Sequence, residues 1–475
     1  MQILYHRKKA KSKQKQFTYR GACGTIQEKR TAEGVFMIKV GFGKGEITPP
    51  MGTILQGYYD PRYADGILDN LYATAVAFDN GEKRAVVISC DIIGINQAFM
   101  ARVRGAIADA CKIPSEAVFV HCTHIHTGPG VAASTKTAVN TDNAEYGEWL
   151  ISRLADIAGF AFCDLAPSEM FCTRARVEDV AFVRRFRMRD GSVLTNPGRQ
   201  NPDIDHALSE PDEEAQLLII KREGKPEIGI VNFQVHPDVV SGNKVSADYP
   251  GFVRETYESL IENSLCMYIN GAQGDTNHID VRLTREQNQG YHWSRHMGRK
   301  IAMAVAANYE RAVPIAGDKI SYGEKIISVK HNKGTEEELA KAEKLIKVYN
   351  EVGVDGALPD VQPPMHRVEL IAEATRIVTM STAPDEKELV LSAIAVGDVV
   401  FASFPGEPFT DVGRGVKRGS KFSLTIPACC ANGYEGYYPM ASAFEEGGYE
   451  ALSAKYAKGT AEKLIETSLE IINNL

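Results

Sequence analysis

The sequence has no run of about 18 apolar residues, so no membrane-spanning helix is expected. It also has no excess of basic residues. Its formal net charge is −7 over 475 residues, which argues against nucleic acid as the main partner. No internal repeat or low-complexity linker divides the chain, and its 44% hydrophobic content can bury a large core. We therefore expect one compact folded body.

The nine cysteines lack the C-x-x-C spacing of redox and zinc motifs, and an odd number leaves at least one thiol unpaired. Several lie in strand-like apolar runs, as buried reduced thiols do. The N-terminus also lacks the apolar segment of a secretory signal. Together these features predict a cytoplasmic protein with reduced thiols.

Residues 1–36 differ from the rest of the chain in charge, because they carry nine Lys or Arg against two Glu. We predict a basic, disordered N-terminal extension over 1–36 and a folded domain over 37–475. Met37 directly precedes the first strand-like segment, so we expect native translation to begin there.

Residues 123–130 read Thr-His-Ile-His-Thr-Gly-Pro-Gly and follow an apolar run that predicts a buried strand. Alternate residues of an extended chain share a face, so His124 and His126 should point the same way. Neutral imidazole is the commonest metal ligand, and sites are often built where strands end in turns. The stretch therefore predicts a metal site, the alternative being a hydrogen-bonded histidine at a strand end.

Two later strands end in the same manner. The strand at 228–235 delivers His236, and the second strand of a hairpin at 389–404 runs into Pro-Gly-Glu-Pro, which contains Glu407. Two histidines and a carboxylate suit hydrolytic zinc, whose open position holds a water of lowered pKa. The same set suits non-haem iron. The residues alone predict a metal enzyme.

Two polar segments are candidates for binding a substrate. The loop at 195–203 contains two prolines and Arg199, a fork of fixed donors, although the residues alone slightly favour an ordinary surface arginine. The Gly-rich turn at 271–278 contains Thr276 and Asn277, and its backbone N–H groups either hold developing negative charge or only turn the chain. A Ser/Thr/Asn-rich loop at 132–143 is predicted to cover the site.

Strands and helices alternate along the chain, with hairpins between some strands. This pattern predicts an α/β fold in which mixed β-sheets are flanked by helices and the metal site lies at strand ends.

Five blocks, taken in order, resemble the neutral/alkaline (non-lysosomal) ceramidase family. They are the 123–130 block, the strand-borne His236, Gly274-Asp275, Pro405-Gly406-Glu407 and Asn432-x-Tyr434-x-x-Tyr437. The opening segment at 41–48 and Tyr449-Glu450-Ala451 fit the family as well, so the resemblance covers about residues 40–449.

The resemblance implies a zinc-dependent hydrolase that cleaves the C–N bond of an N-acyl amide, with a place in sphingolipid metabolism. It also implies a set of roles. The zinc ligands would be His124, His236, Glu407 and Tyr437; His126 would act on the bound substrate and Tyr449 would stabilise the transition state. Independently of the resemblance, the two polar segments above suggest that Arg199, Thr276 and Asn277 would orient the substrate.

The chain departs from the family in three respects. Its turn Gly274-Asp275-Thr276-Asn277-His278 has no serine where the family has one, which favours attack by metal-activated water. It ends shortly after the tyrosine block, without the C-terminal immunoglobulin-like domain of secreted members, and it has no signal peptide.

These departures keep two alternatives open. One is a cytoplasmic hydrolase of a small polar amide, ester or lactone, such as an acylated sugar. The other is a metal-binding module without turnover, against which the presence of His126 and Tyr449 argues. In either enzyme the partner is a small-molecule amide or ester, and a homo-oligomer is compatible with the sequence.

Overall fold

The computed structural model describes residues 38–131 and 143–475. The predicted N-terminal extension and most of the predicted 132–143 loop lie outside these residues. The mixed α/β fold predicted from the sequence is confirmed. Among the described residues, none of the helices combines the length and the apolar character that crossing a bilayer requires.

Ten helices lie in the described part of the chain. They are α1 Gln97–Cys111, α2 Ala144–Cys163, α3 Asp248–Leu260, α4 Tyr291–Ala307, α5 Glu336–Ala357, α6 Pro364–Ser381, α7 Thr410–Gly419, α8 Ala443–Glu446, α9 Tyr449–Ser453 and α10 Thr460–Asn474.

The large sheet contains eight long strands. In chain order they are β1 Lys39–Glu46, β2 Tyr72–Asp79, β3 Arg84–Cys90, β4 Val118–Cys122, β5 Ala166–Arg176, β6 Glu214–Arg222, β7 Glu227–Phe233 and β8 Ser264–Asn270. Their spatial order is β8-β7-β6-β5-β1-β2-β3-β4, and the short strand Val313–Pro314 pairs with β5.

The pairing in this sheet is antiparallel except at its two edges. β3 and β4 are parallel and joined through α1, and β7 and β8 are parallel and joined through α3. Each edge is thus a β-α-β unit, which needs a crossover helix because parallel strands cannot be joined by a tight turn. The four strands of these two units are buried on both faces, which explains their nearly continuous apolar sequences.

The two edges of the large sheet meet. The Ser89 hydroxyl of β3 donates to the Tyr268 carbonyl of β8 at 2.6 Å, and the Asn270 amide of β8 donates to His121 Nε2 of β4 at 3.1 Å. The segments that leave β4 and β7 therefore lie side by side, although these strands are distant in the order of the sheet. His124 follows β4, and His236 follows β7.

A second sheet has the order β9-β10-β11-β12, with β9 Ile320–Lys330, β10 Glu386–Val396, β11 Val399–Ser403 and β12 Leu424–Ala428. β11 and β12 are parallel and joined through α7, which makes a third β-α-β unit. Asn432, just after β12, exchanges two hydrogen bonds with the Val120 backbone of β4. This contact brings the segments after β11 and β12 to the two histidine-bearing segments.

The glycines of β1 have a packing role. A Cβ on Gly41 would lie 2.0 Å from the Ala161 carbonyl oxygen of α2, so only glycine allows the helix to approach the strand this closely. Gly43 and Gly45 face the same helix, so the alternation of glycine at 41–45 is explained by the close approach of α2.

Candidate metal centre

Three imidazole rings converge where the β4 and β7 segments meet. One ring nitrogen from each of His124, His126 and His236 lies within 4.8 Å of the others, and all three residues are buried. The Nε2 atoms of His126 and His236 are 3.0 Å apart. The predicted convergence of His124 and His126 is present, with ring centroids 5.1 Å apart.

The backbone reason for this convergence differs from the one inferred from the sequence. β4 ends at Cys122, and His124 has a φ of 71°, so the two histidines do not alternate along a strand. The His124 amide donates to the Ile92 carbonyl. The His124 Nδ1 atom lies 2.7 Å from the Ile93 carbonyl oxygen, which fixes the proton on Nδ1 and leaves Nε2 free to bind a metal.

Glu407 supplies a carboxylate to the same point. Its Oε2 atom is 3.2 Å from His124 Nε2 and 3.6 Å from His236 Nε2. Burial alone would raise the pKa of Glu407, but His124, the Tyr434 hydroxyl and the Arg184 charge together lower it to about 2. The carboxylate is therefore ionised.

The Gly-rich turn packs directly on Glu407. A Cβ on Gly274 would lie 2.5 Å from the Glu407 carbonyl oxygen, and the Gly274 amide donates to the Pro408 carbonyl at 2.9 Å. The side-chain amide of Gln273 lies 3.4 Å from Glu407 Oε2. The turn thus holds the carboxylate in place, and glycine is required at this close approach.

These donors fit a zinc ion. Two ligand atoms each about 2.0–2.1 Å from one tetrahedral zinc lie roughly 3.3 Å apart. The closest separations here, 3.0, 3.2 and 3.6 Å, are near that value.

Two tyrosines flank Glu407 in different ways. Tyr434 stacks on His124 with ring centroids 5.7 Å apart, and its hydroxyl donates to Glu407 Oε1 at 2.7 Å. Tyr437 pairs with Glu407 in a two-residue parallel bridge. The Tyr437 ring also lies 5.5 Å from the Tyr449 ring. Tyr437 as a ligand stays a prediction, whereas the contact of Tyr434 with the carboxylate was not predicted.

Tyr449 is half-buried beside Tyr437, at the start of α9. Burial raises the pKa of Tyr449 to about 12, so its hydroxyl keeps a proton near neutral pH. It can therefore donate a hydrogen bond, as its predicted role requires.

His126 lies at the other side of the group. Its ring is in edge contact with Tyr58 at 5.5 Å, and its carbonyl accepts from Arg62. Burial, with a smaller effect from the His124 charge, lowers the pKa of His126 to about 3, so the ring is neutral. The geometry does not separate His126 from the ligand histidines, and its role in proton transfer stays a prediction.

The predicted substrate-binding residues lie in two connected segments. Thr276 and Asn277 are buried and pair with the short strand Phe182–Val183, and the Asn277 side chain donates to Asn196 in the 195–203 loop at 2.9 Å. Arg199, in contrast, donates to the Asp280 and Leu283 carbonyls and to Asn288. Its hydrogen bonds therefore connect the 195–203 loop to the 280–288 loop, and its substrate role stays a prediction.

Arg184 is a site residue that the sequence did not reveal. Its side chain is 5% exposed, and its guanidinium lies 5.4 Å from the centre of the Tyr437 ring. Its Nη2 atom donates to the Gly274 carbonyl at 2.7 Å. In the sequence it belongs to an arginine-rich strand segment that is typical of a solvated surface, and the only signal is its position directly after the apolar pair Phe182–Val183.

Comparisons with known proteins give a family match and similar solved structures. The family model for the N-terminal domain of neutral/alkaline non-lysosomal ceramidases matches residues 38–276, a range that contains all three histidines. Neutral ceramidase from Pseudomonas aeruginosa has a similar structure, with a TM-score of 0.68 at 16% identity, over 92% of this chain and 74% of that one. A ceramidase in complex with C2 gives a TM-score of 0.69 at 15% identity, over 92% and 75%. No curated protein matches by sequence.

Proposed function

The chain belongs to the neutral/alkaline, non-lysosomal ceramidase family, and from this we propose that it is a zinc-dependent hydrolase that cleaves the C–N bond of an N-acyl amide. The observation that carries the proposal is the convergence of three buried histidines with the ionised carboxylate of Glu407. Nitrogen and oxygen ligands of this kind are those of hydrolytic zinc sites.

We assign the metal to His124, His236 and Glu407, with Tyr437 as the fourth ligand on the strength of the family resemblance. When bound, zinc supplies a water of lowered pKa and polarises the scissile carbonyl. Glu407 is prepared for this role because Tyr434 and the Gly274 turn fix its orientation before any metal arrives.

The other side chains handle protons and charge. On the strength of the family resemblance we assign proton transfer to His126, whose imidazole lies beside His236 and would accept a proton from the attacking water and pass it to the leaving amine. Tyr449 is protonated and can donate to the carbonyl oxygen as negative charge develops there. Attack by water rather than by a side chain is supported by the turn, which has no serine and in which the Thr276 hydroxyl donates to the Gln273 carbonyl.

A second candidate substrate class is a small polar amide, ester or lactone. It is favoured by the polar surroundings of the site. Arg62 lies 4.1 Å above the Tyr58 ring, next to His126, and Asp238 pairs with His278 at 3.1 Å, two residues after His236. An acyl chain would need an apolar wall, which these charged groups do not offer. Such a substrate would also suit a cytoplasmic enzyme, whereas ceramide would imply sphingolipid metabolism.

The experiment that tests the function uses the full chain. Its zinc content is measured by elemental analysis beside a His236→Ala control, and hydrolysis is then followed on short- and long-chain ceramides, N-acetylated polar amines, acylated sugars and lactones. We expect near-stoichiometric zinc that the control lacks, and amide hydrolysis that a chelator abolishes and zinc restores. Stoichiometric zinc without turnover on any substrate would instead indicate the metal-binding module, and iron in place of zinc would overturn the assignment.

A further inference from the structure

Glu450 is a fully buried carboxylate that none of the roles above uses. It lies in the first turn of α9, directly after Tyr449. Its Oε1 atom accepts from Arg184 Nε at 2.6 Å and its Oε2 atom from the Thr195 hydroxyl at 2.8 Å. Burying an ion without a partner is costly in free energy. This carboxylate can be buried because both of its oxygens accept hydrogen bonds.

The Arg184 guanidinium is thereby fixed on three sides. Glu450 holds Nε, the Gly274 carbonyl holds Nη2 at 2.7 Å, and the Tyr437 ring lies against the cation. Gly274 is itself in contact with the Glu407 backbone. The cation therefore lies in the wall of the metal centre, and its charge contributes to lowering the pKa of both Glu407 and His236.

We propose that Glu450 is a positioning residue that fixes the Arg184 guanidinium against Tyr437 and the Gly274 turn. An arginine side chain has many rotamers, and a charge-assisted bond to a buried carboxylate selects one of them before substrate binds. Without Glu450, Arg184 would remain as an uncompensated positive charge beside a cation site. The activity part of the test rests on the proposed function, whereas the zinc-binding part does not.

The opposing interpretation is that Arg184 and Glu450 form only a structural ion pair. Glu369 provides a matched control, because it is also buried, at 1% exposure, and also bonds Thr195, whose amide donates to it at 2.8 Å. Its other oxygen is bonded to His366, and Arg184 does not contact it. Replacing Glu369 therefore disturbs the same loop without releasing the arginine.

The experiment compares Glu450→Gln, Arg184→Met, the double variant and Glu369→Gln in the full chain. Zinc affinity is measured by competition with a chelating indicator, stability by thermal unfolding, and kcat and KM on the best substrate found above. We expect Glu450→Gln to weaken zinc binding at least about tenfold, because the charge of Arg184 is then unpaired, and the double variant to recover most of that affinity. The Glu369→Gln variant should weaken zinc binding less than about threefold.

For turnover, we expect Glu450→Gln to lower kcat at least about tenfold, and to cause no further loss when Arg184 is already Met. If the losses of kcat caused by Glu450→Gln and Arg184→Met multiplied in the double variant, the pair would be only structural. The same conclusion would follow if the double variant regained kcat together with its thermal stability. An equal effect of Glu369→Gln would also overturn the proposal.

Two further outcomes are separable. If the wild-type protein hydrolyses no substrate, the proposed function fails. The positioning role is still tested in that case, because an unchanged zinc affinity in Glu450→Gln would refute it.

If Glu450→Gln does not fold, Glu450→Asp keeps the charge on a shorter side chain. It should retain zinc and lower kcat with little change in KM, and wild-type kcat in that variant would contradict the proposal.

Discussion

The Nε2 atoms of His126 and His236 lie 3.0 Å apart in a site from which water is nearly excluded. Two neutral imidazoles at this distance either share one proton or direct two lone pairs at a cation. Because burial lowers the pKa of both rings, neither is protonated near neutral pH. The pair is therefore built to receive a metal ion or a proton, and the two roles can be separated by substitution.

Replacing these histidines one at a time should give different results. We expect His124→Ala and His236→Ala to lose both metal and activity, because each removes an Nε2 atom that lies beside Glu407. His126→Ala should keep the metal and lose most turnover. Elemental analysis and initial rates measure both properties on one sample. Full activity in His126→Ala would refute its proton-transfer role, and loss of its metal would make it a ligand.

Tyr434→Phe removes the hydroxyl that donates to Glu407 Oε1 at 2.7 Å. Loss of such an outer contact typically weakens metal binding by about 10–100-fold. Tyr437→Phe removes the oxygen that the family resemblance assigns as a ligand, so it should weaken zinc binding more. Competition titrations with a zinc indicator give both affinities. If Tyr434→Phe proved the more damaging change, the ligand assignment would pass from Tyr437 to Tyr434.

Tyr449→Phe should lower kcat by about 10²–10³ while leaving zinc content unchanged, because it removes a donor to the developing oxyanion. The raised pKa of Tyr449 means that this donor is present throughout the range from pH 5 to pH 9. Steady-state kinetics combined with metal analysis checks the claim. A loss of zinc in this variant would show that Tyr449 acts on the metal site rather than on the substrate.

Acid should destabilise the protein through His121. This buried ring accepts the Asn270 amide on Nε2, and burial lowers its pKa from 6.5 to about 3. Between those pH values the unfolded chain binds a proton that the folded chain does not. The contribution of His121 to the free energy of unfolding is therefore fully present above pH 6.5 and is lost as the pH drops towards 3. Denaturant unfolding of the metal-free protein at several pH values measures how the free energy of unfolding changes with pH. This group contributes at most about 1.4 kcal/mol per pH unit to that slope.

His121→Gln should flatten that slope, and His206→Gln, at an exposed position, should leave it as it is. Equal slopes in the wild type and in His121→Gln would mean that other groups account for the acid sensitivity.

His124, His236 and Glu407 could be selected as candidate ligands from the sequence because each follows a buried strand whose apolar residues are recognisable locally. Their meeting could not be predicted, since it depends on contact between β3 or β4 and β8 at opposite edges of one sheet. Arg184 was missed for a similar reason. Neighbouring residues Arg185, Arg187 and Arg189 make its segment resemble an exposed strand, and only the distant Glu450 and Tyr437 bury it.

The contact between the two sheet edges also has a consequence for how the protein is made. His124, His236 and Glu407 belong to three separate β-α-β units, so none of these units offers a complete ligand set by itself. A nascent chain that has synthesised only the first two units holds imidazoles but not the carboxylate. With the proposed ligand set, tight zinc capture would be a late event that reports a finished tertiary structure, and the captured ion would act as a cross-link that closes long loops of the chain against unfolding.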